Sequence, residues 1–199
     1  STLFPYTTLF RSRTGIEQGR VARVDSGFVS AAAGAQTVDL RKATCLPGFI
    51  DSHTHLTMDF SKGSYLSKFV DTDGDIAYKA ARNAKVVLMT GFTTVRDLGG
   101  QHLVDAALKN AIERGDVPGP RMLVATNTLS ITGGHADSSG GFREELFHPT
   151  EADGVVDGVD SAIKGARIAI KRGADVIIQQ VVPADVGLVA PVLDRKSVV

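Results

Sequence analysis

Two periodicities divide the chain. Residues 14–47 alternate at short range and predict small strands: Gly19-Arg20 turns the chain between Ile16-Glu17 and Val21–Val24, and Thr37–Leu40 alternates as a further strand. Leu46-Pro47-Gly48 breaks that pattern. Beyond it, Phe49–His53 reads as a buried strand, followed by a helix over 76–89 with Ala80, Ala81, Ala84, Val87 and Leu88 on one face. Gly91 stops that helix and Thr93–Arg96 is the next strand. A second helix, 102–114, turns Val104, Ala107, Leu108, Ala111 and Ile112 inward and ends at Gly115. Arg121–Ala125 is a third strand, and 133–141 is the Gly/Ser-rich loop after it. A third helix, 157–172, has Val159, Ala162, Ile163, Ala166 and Ile170 inward, and Ala174–Ile178 is a fourth strand. Alternating strands and helices mean crossover connections and a parallel sheet, hence an α/β fold.

Length limits the architecture. A closed barrel of eight such units takes about 250 residues, and this chain has 199. It therefore holds an open sheet or half a barrel. Both ends read unlike the middle. Residues 1–13 and Arg195–Val199 are expected to be non-native or poorly ordered tails. The basic residues of 1–13 follow the apolar ones, which is not the order of a secretory leader. A cytoplasmic protein is the expectation, left open by the doubtful start.

Composition removes several function classes. Lys plus Arg is 22 and Asp plus Glu is 22, so no basic excess points to nucleic acid. One cysteine, Cys45, allows neither an internal disulfide nor a multi-cysteine zinc site; it is expected to be a buried packing residue. No apolar run approaches the roughly 18 residues of a membrane helix. No phosphate-binding glycine pattern and no Gly-x-Ser-x-Gly follows a strand. His102 and His148 read as solvated residues, and Arg143-Glu144-Glu145 as a solvated loop or lid.

The chemistry gathers at the first barrel-type strand. Asp51, His53 and His55 are spaced by two, so plain alternation puts all three on one face at the strand's carboxyl end. Active sites collect at that end of parallel sheets. Neutral imidazoles there suit zinc and related divalent ions.

The segment Leu46–Leu56, with Gly91–Asp97, Gly119-Pro120-Arg121, Thr132-Gly133-Gly134-His135 and Gly173–Ile177, resembles the amidohydrolase superfamily, in its imidazolonepropionase-like and Xaa-Pro dipeptidase-like branch. The resemblance covers residues 14–177. It implies a (β/α)8 TIM-type barrel with a small β-sandwich, of which residues 14–47 would be part of the sandwich and 48–177 the first four β/α units. It implies one or two divalent metal ions, zinc by preference, activating water for attack on an amide carbon. His53 and His55 match metal ligands; Asp51 and Asp97 would be supporting acids; Arg96 and His135 match substrate-binding positions. A small-molecule or dipeptide substrate follows. The departure is at 178, where the branch carries a metal-bridging lysine and this chain has Ile178; the pattern is lost over 178–199. The chain is therefore expected to be an incomplete, inactive fragment of a hydrolase, with unpaired sheet edges that favour homo-oligomers. The alternative is a non-catalytic α/β binding module without metal.

Overall fold

The computed structural model describes residues 12–27, 30–40, 42–59 and 61–179. Residues 1–11 and 180–199, on which most of the tail readings fall, lie outside them. The chain divides into two compact units, Ser1–Pro47 and Gly48–Val199.

The first unit holds an antiparallel hairpin of β1 (Ser12–Glu17) and β2 (Arg20–Ser26). The strand β1 begins inside the stretch expected to be a tail. The hairpin turns at Gln18-Gly19, both in the left-handed region, which suits a two-residue hairpin loop. Thr37–Leu40 is not a strand. Val38 and Leu40 are exposed, and no described strand runs alongside to take the backbone hydrogen bonds. Cys45 is exposed rather than buried, because the whole described stretch from 30 to 47 is exposed.

The second unit is α/β, consistent with part of a TIM barrel. The strands β3 (Phe49–Thr54), β4 (Phe92–Asp97) and β5 (Arg121–Val124) form a parallel sheet in the order β3-β4-β5. A short helix absent from the sequence reading, α1 (Ser64–Val70), follows β3. The helix α2 (Asp73–Met89) starts earlier than the apolar period implies, because Thr72 and Asp75 form a reciprocal cap. The helix α3 (Val104–Arg114) starts later, because His102 and Leu103 adopt positive φ. The sheet's covered face packs on α2 and α3: Val95, Met122 and Val124 meet Ile76, Ala80, Ala84, Val104 and Leu108. Ala107, expected inside, is exposed, and Asp105 takes an inward position instead.

The helix α4 (Val159–Lys171) is rotated from its expected face. It buries Ala162, Gly165 and Ala169, and leaves Val159 and Ile170 exposed. Small residues let the helix come close: a Cβ on Gly165 would stand 2.7 Å from Val156 Cγ1. The fourth expected strand does not form. Asp175 and Val176 both donate to the Val124 carbonyl, and the Asp175 carboxylate takes the Val124 N–H that a neighbouring strand would take. Among the described residues, strand pairing there amounts to one bridge, Leu129 to Gln179. No helix among the described residues is long and apolar enough to cross a membrane.

The pairing of β3 with β4 is not uniform. Phe49 pairs with Phe92 and Ile50 with Thr94, so β4 has one extra residue at Thr93. Asp51 pairs with Val95 and Thr54 with Asp97, so β3 has one extra residue between them. The two slips cancel over the strand. The first depends on Gly48: a Cβ there would lie 2.0 Å from Thr93 Oγ1 and 2.7 Å from Thr93 Cβ. Replacing Gly48 by Ala is expected to lower stability by about 1–3 kcal/mol, the usual cost of overpacking. A second change, Thr93→Gly, should restore part of that loss. Urea unfolding of the single and double variants measures both.

Candidate functional site

The second slip decides which way the histidines face. Residues paired across parallel strands lie on the same side, and a one-residue slip reverses the side. Asp51 and Thr54 pair with Val95 and Asp97, both buried on the helix-covered side. Thr54 is three positions after Asp51, where plain alternation on one side would need two or four. Ser52 and His53 therefore form the bulge and stand exposed on the open side. Plain alternation, which put Asp51, His53 and His55 on one face, fails here: the bulge parts Asp51 from the imidazoles. Asp51 instead bends back, its Oδ1 accepting the His53 backbone N–H at 3.0 Å.

The two imidazoles meet. His53 Nε2 and His55 Nε2 are 3.3 Å apart, with the rings edge-on at 69°. His55 Nδ1 lies 3.1 Å from the Gly99 carbonyl oxygen. A carbonyl can only accept, so Nδ1 carries a proton, and in the neutral ring Nε2 then presents a lone pair. Two nitrogen donors about 2.0–2.1 Å from a tetrahedral zinc stand about 3.3 Å apart, so the spacing suits a pair of ligands on one ion. Gly99 has φ +155 and no room for a side chain: a Cβ would be 2.6 Å from Thr128 Oγ1 and 3.7 Å from the His55 ring.

Below this pair the chain is held from several sides. Asp97, fully buried, accepts the Leu56 N–H at 2.7 Å and the Gly99 N–H at 3.4 Å, so one carboxyl group fixes both segments that carry the His55 contact. Asn83 of α2 donates to the Leu56 carbonyl at 2.9 Å. Burial pushes the Asp97 carboxyl up to about 7, against the hydrogen bond from Leu56, and the nearby Asp105 carboxylate adds to the rise. Asp105 is itself raised, chiefly by burial. Its Oδ2 accepts the Thr126 N–H at 2.9 Å. Asp105 Oδ1 and Thr126 Oγ1 have no partner among the described residues. Sequence reading missed Asp105; its one trace is an acid beside Val104 on an otherwise apolar face.

The other expected site residues are placed differently. Arg96 is exposed on the open face, and its Nε donates to the Ser52 carbonyl at 2.7 Å. His135 is exposed on the loop after β5. That loop is braced by Asp137, which accepts from the Gly133 and Ser139 N–H groups at 2.8 and 3.0 Å; the Ser139 hydroxyl, foremost, holds its carboxyl below the usual range. Phe69 of α1 stacks edge-on with Phe142 and Phe147, which joins the loops following β3 and β5. Arg143 and Glu145 pair at 3.3 Å around an exposed 3-10 turn, as a solvated loop should. No group of three or more His, Cys, Asp or Glu among the described residues is arranged to hold a metal ion. The histidine pair thus fits two ligand positions and no more. At 178 the structure has Ile178, whose carbonyl accepts the Leu129 N–H at 2.9 Å.

Comparison with known proteins gives a consistent set of relatives. A model of the amidohydrolase family matches residues 44–189. Among solved structures, the chain is similar to a Xaa-Pro dipeptidase with methionine bound in its active site: 33% identity over 80% of this chain and 39% of that one, at a TM-score of 0.74. It is similar to a prolidase complexed with N-methylphosphonate-L-proline, with 32% identity, 80% and 39% coverage, and a TM-score of 0.67. An ochratoxinase of A. niger shares 28% identity, with 67% and 33% coverage and a TM-score of 0.55. The chain spans 39% of the length of the first two. No curated protein matches it.

The buried acid gives a pH signature. Asp97 has a folded-state value of about 7 against an ordinary 3.8, so between those values the native state holds more protons than the unfolded one. Its contribution is fully present below about 4 and is lost as pH rises through 7, at up to about 1.4 kcal/mol per pH unit. Unfolding free energy measured from pH 5 to pH 8 should fall with this slope component, and Asp97→Asn should flatten it.

Proposed function

The chain belongs to the amidohydrolase family, in its Xaa-Pro dipeptidase-like branch, and on that premise we propose that it supplies the first two metal ligands of a hydrolase that cleaves amide bonds in dipeptides or N-acyl amino acids. The observation that carries this reading is the 3.3 Å spacing of His53 Nε2 and His55 Nε2, with His55 held in one tautomer by Gly99. Two lone-pair nitrogens at that distance repel unless a proton or a metal ion lies between them.

The divalent ion, zinc by preference, would polarise the scissile carbonyl and make a water nucleophilic near neutral pH. The chain's own groups do the rest. His53 and His55 would hold the ion. Asp51 and Asp97 act through the backbone: one accepts the His53 N–H, the other the Leu56 and Gly99 N–H groups. Arg96, exposed near the carboxyl end of β4, and His135, exposed on the loop after β5, would meet the substrate, Arg96 through its terminal guanidinium nitrogens and a carboxylate. A substrate with a free carboxylate next to the cleaved bond fits these groups.

A catalytic zinc takes about three protein ligands and a water. The described residues provide two, so we read this chain as inactive alone and as the metal-binding start of a longer hydrolase. In the same reading, 14–47 belongs to a small β-sandwich and 48–177 to the first four β/α units of a barrel.

The test is metal binding. Dialysed against zinc and assayed by elemental analysis and calorimetry, the chain should retain about one ion. His53→Ala and His55→Ala should each weaken binding by at least about tenfold. Retention unchanged by both substitutions would overturn the reading. In a longer protein carrying this segment, His53→Ala should abolish dipeptide hydrolysis.

A further inference from the structure

A bulge leaves one backbone carbonyl and one N–H outside the ladder, and such groups must find partners or cost stability. At the β3 bulge both are met by charged side chains. The His53 N–H goes to Asp51 Oδ1 at 3.0 Å, and the Ser52 carbonyl goes to Arg96 Nε at 2.7 Å. The two interactions differ in reach. Asp51 is two residues from His53 and acts within the same strand. Arg96 lies on β4, the strand that the bulge slips against. Of the two, it is the one that ties the bulge across the sheet.

We infer that Arg96 is a positioning residue for His53: by holding the Ser52 carbonyl from the neighbouring strand it keeps the extra residue of β3 at position 52–53, and so keeps the His53 ring turned to His55. Without that bond the cheapest relaxation is to move the slip along the strand. A one-residue shift toward Thr54 puts His53 opposite Asp97, on the side facing α2 and α3 and away from His55. Arg96 is suited to this because its Nε makes the bond while the side chain as a whole stays exposed. The inference rests on the proposed metal reading only in what the histidine pair is for; the pairing of the rings is a matter of geometry.

The experiment uses the full 199-residue chain without substrate, so any role of Arg96 toward substrate does not enter. Cobalt(II) titration followed by absorbance gives affinity, and long-range proton–nitrogen spectra of the imidazoles without metal give tautomer and ring environment. Arg96→Met should weaken cobalt binding about 10-fold to 100-fold, the range found when groups supporting a ligand are removed. It should also shift the His53 ring signals. Arg96→Lys, which keeps a donor, should recover part of both.

Wild-type affinity and unshifted ring signals in Arg96→Met would overturn the inference. If His53→Ala and His55→Ala leave cobalt binding unchanged, the metal reading fails, and the ring spectra alone then decide the role of Arg96. Should the Arg96 variants not fold, the wild-type protein still answers. A scalar coupling across the hydrogen bond between Arg96 Nε and the Ser52 carbonyl carbon is expected, and its absence refutes the brace.

Discussion

One extra residue in β3 governs the site. A strand presents alternate side chains to opposite sides, and this sheet has one side packed on helices and one side open. Were the pairing of Asp51 with Val95 continued without the second slip, His53 would fall opposite Asp97 on the packed side. The slip between Asp51 and Thr54 sends Ser52 and His53 to the open side together, while the opposite slip at Thr93 restores register by the strand's start. The first slip is enforced sterically, by the absence of a side chain at Gly48. The second is enforced by hydrogen bonding, through Asp51 and Arg96. Packing and polar satisfaction thus act on the same six-residue strand from its two ends.

Under the rim lies a layer of buried polar groups that would be a poor choice for stability alone. Asp97, Asp105, Thr126 and Ser130 are all fully buried. The Asp105 carboxylate adds to the rise of Asp97, and no buried cation lies between the two among the described residues. Thr126 adopts a positive φ, and its hydroxyl has no described partner. What this layer provides is position. Asp97 reaches two backbone N–H groups on different loops, and Asp105 reaches a third. A carboxyl can do this at a single point where an apolar side chain cannot.

The sequence made the α/β class, the three sheet strands and the three longer helices legible, because periods of two and 3.6 are imposed by burial on one side. Pairing register left no such trace. Asp51 at two residues before His53 is compatible with plain alternation and with a bulge closed by its own side chain, and only the partner strand distinguishes them. Arg96 looked free for substrate because its bond to Ser52 spans 44 positions. The rotation of α4 was hidden for a different reason: Gly165 and Ala169 carry little hydropathy, yet small size, not hydropathy, chose the buried face. The fourth strand failed because a side chain, that of Asp175, took a backbone partner's place.

The open side of the sheet has a material consequence. Ile50 is 71% exposed and Leu123 41% exposed, beside Arg96 and Arg121 on the same side. A layer that is dry beneath and greasy but charged above behaves as an amphiphile. Its tendency to adhere to other surfaces should respond to both salt and mild detergent, since the first screens the arginines and the second coats the aliphatic side chains between them.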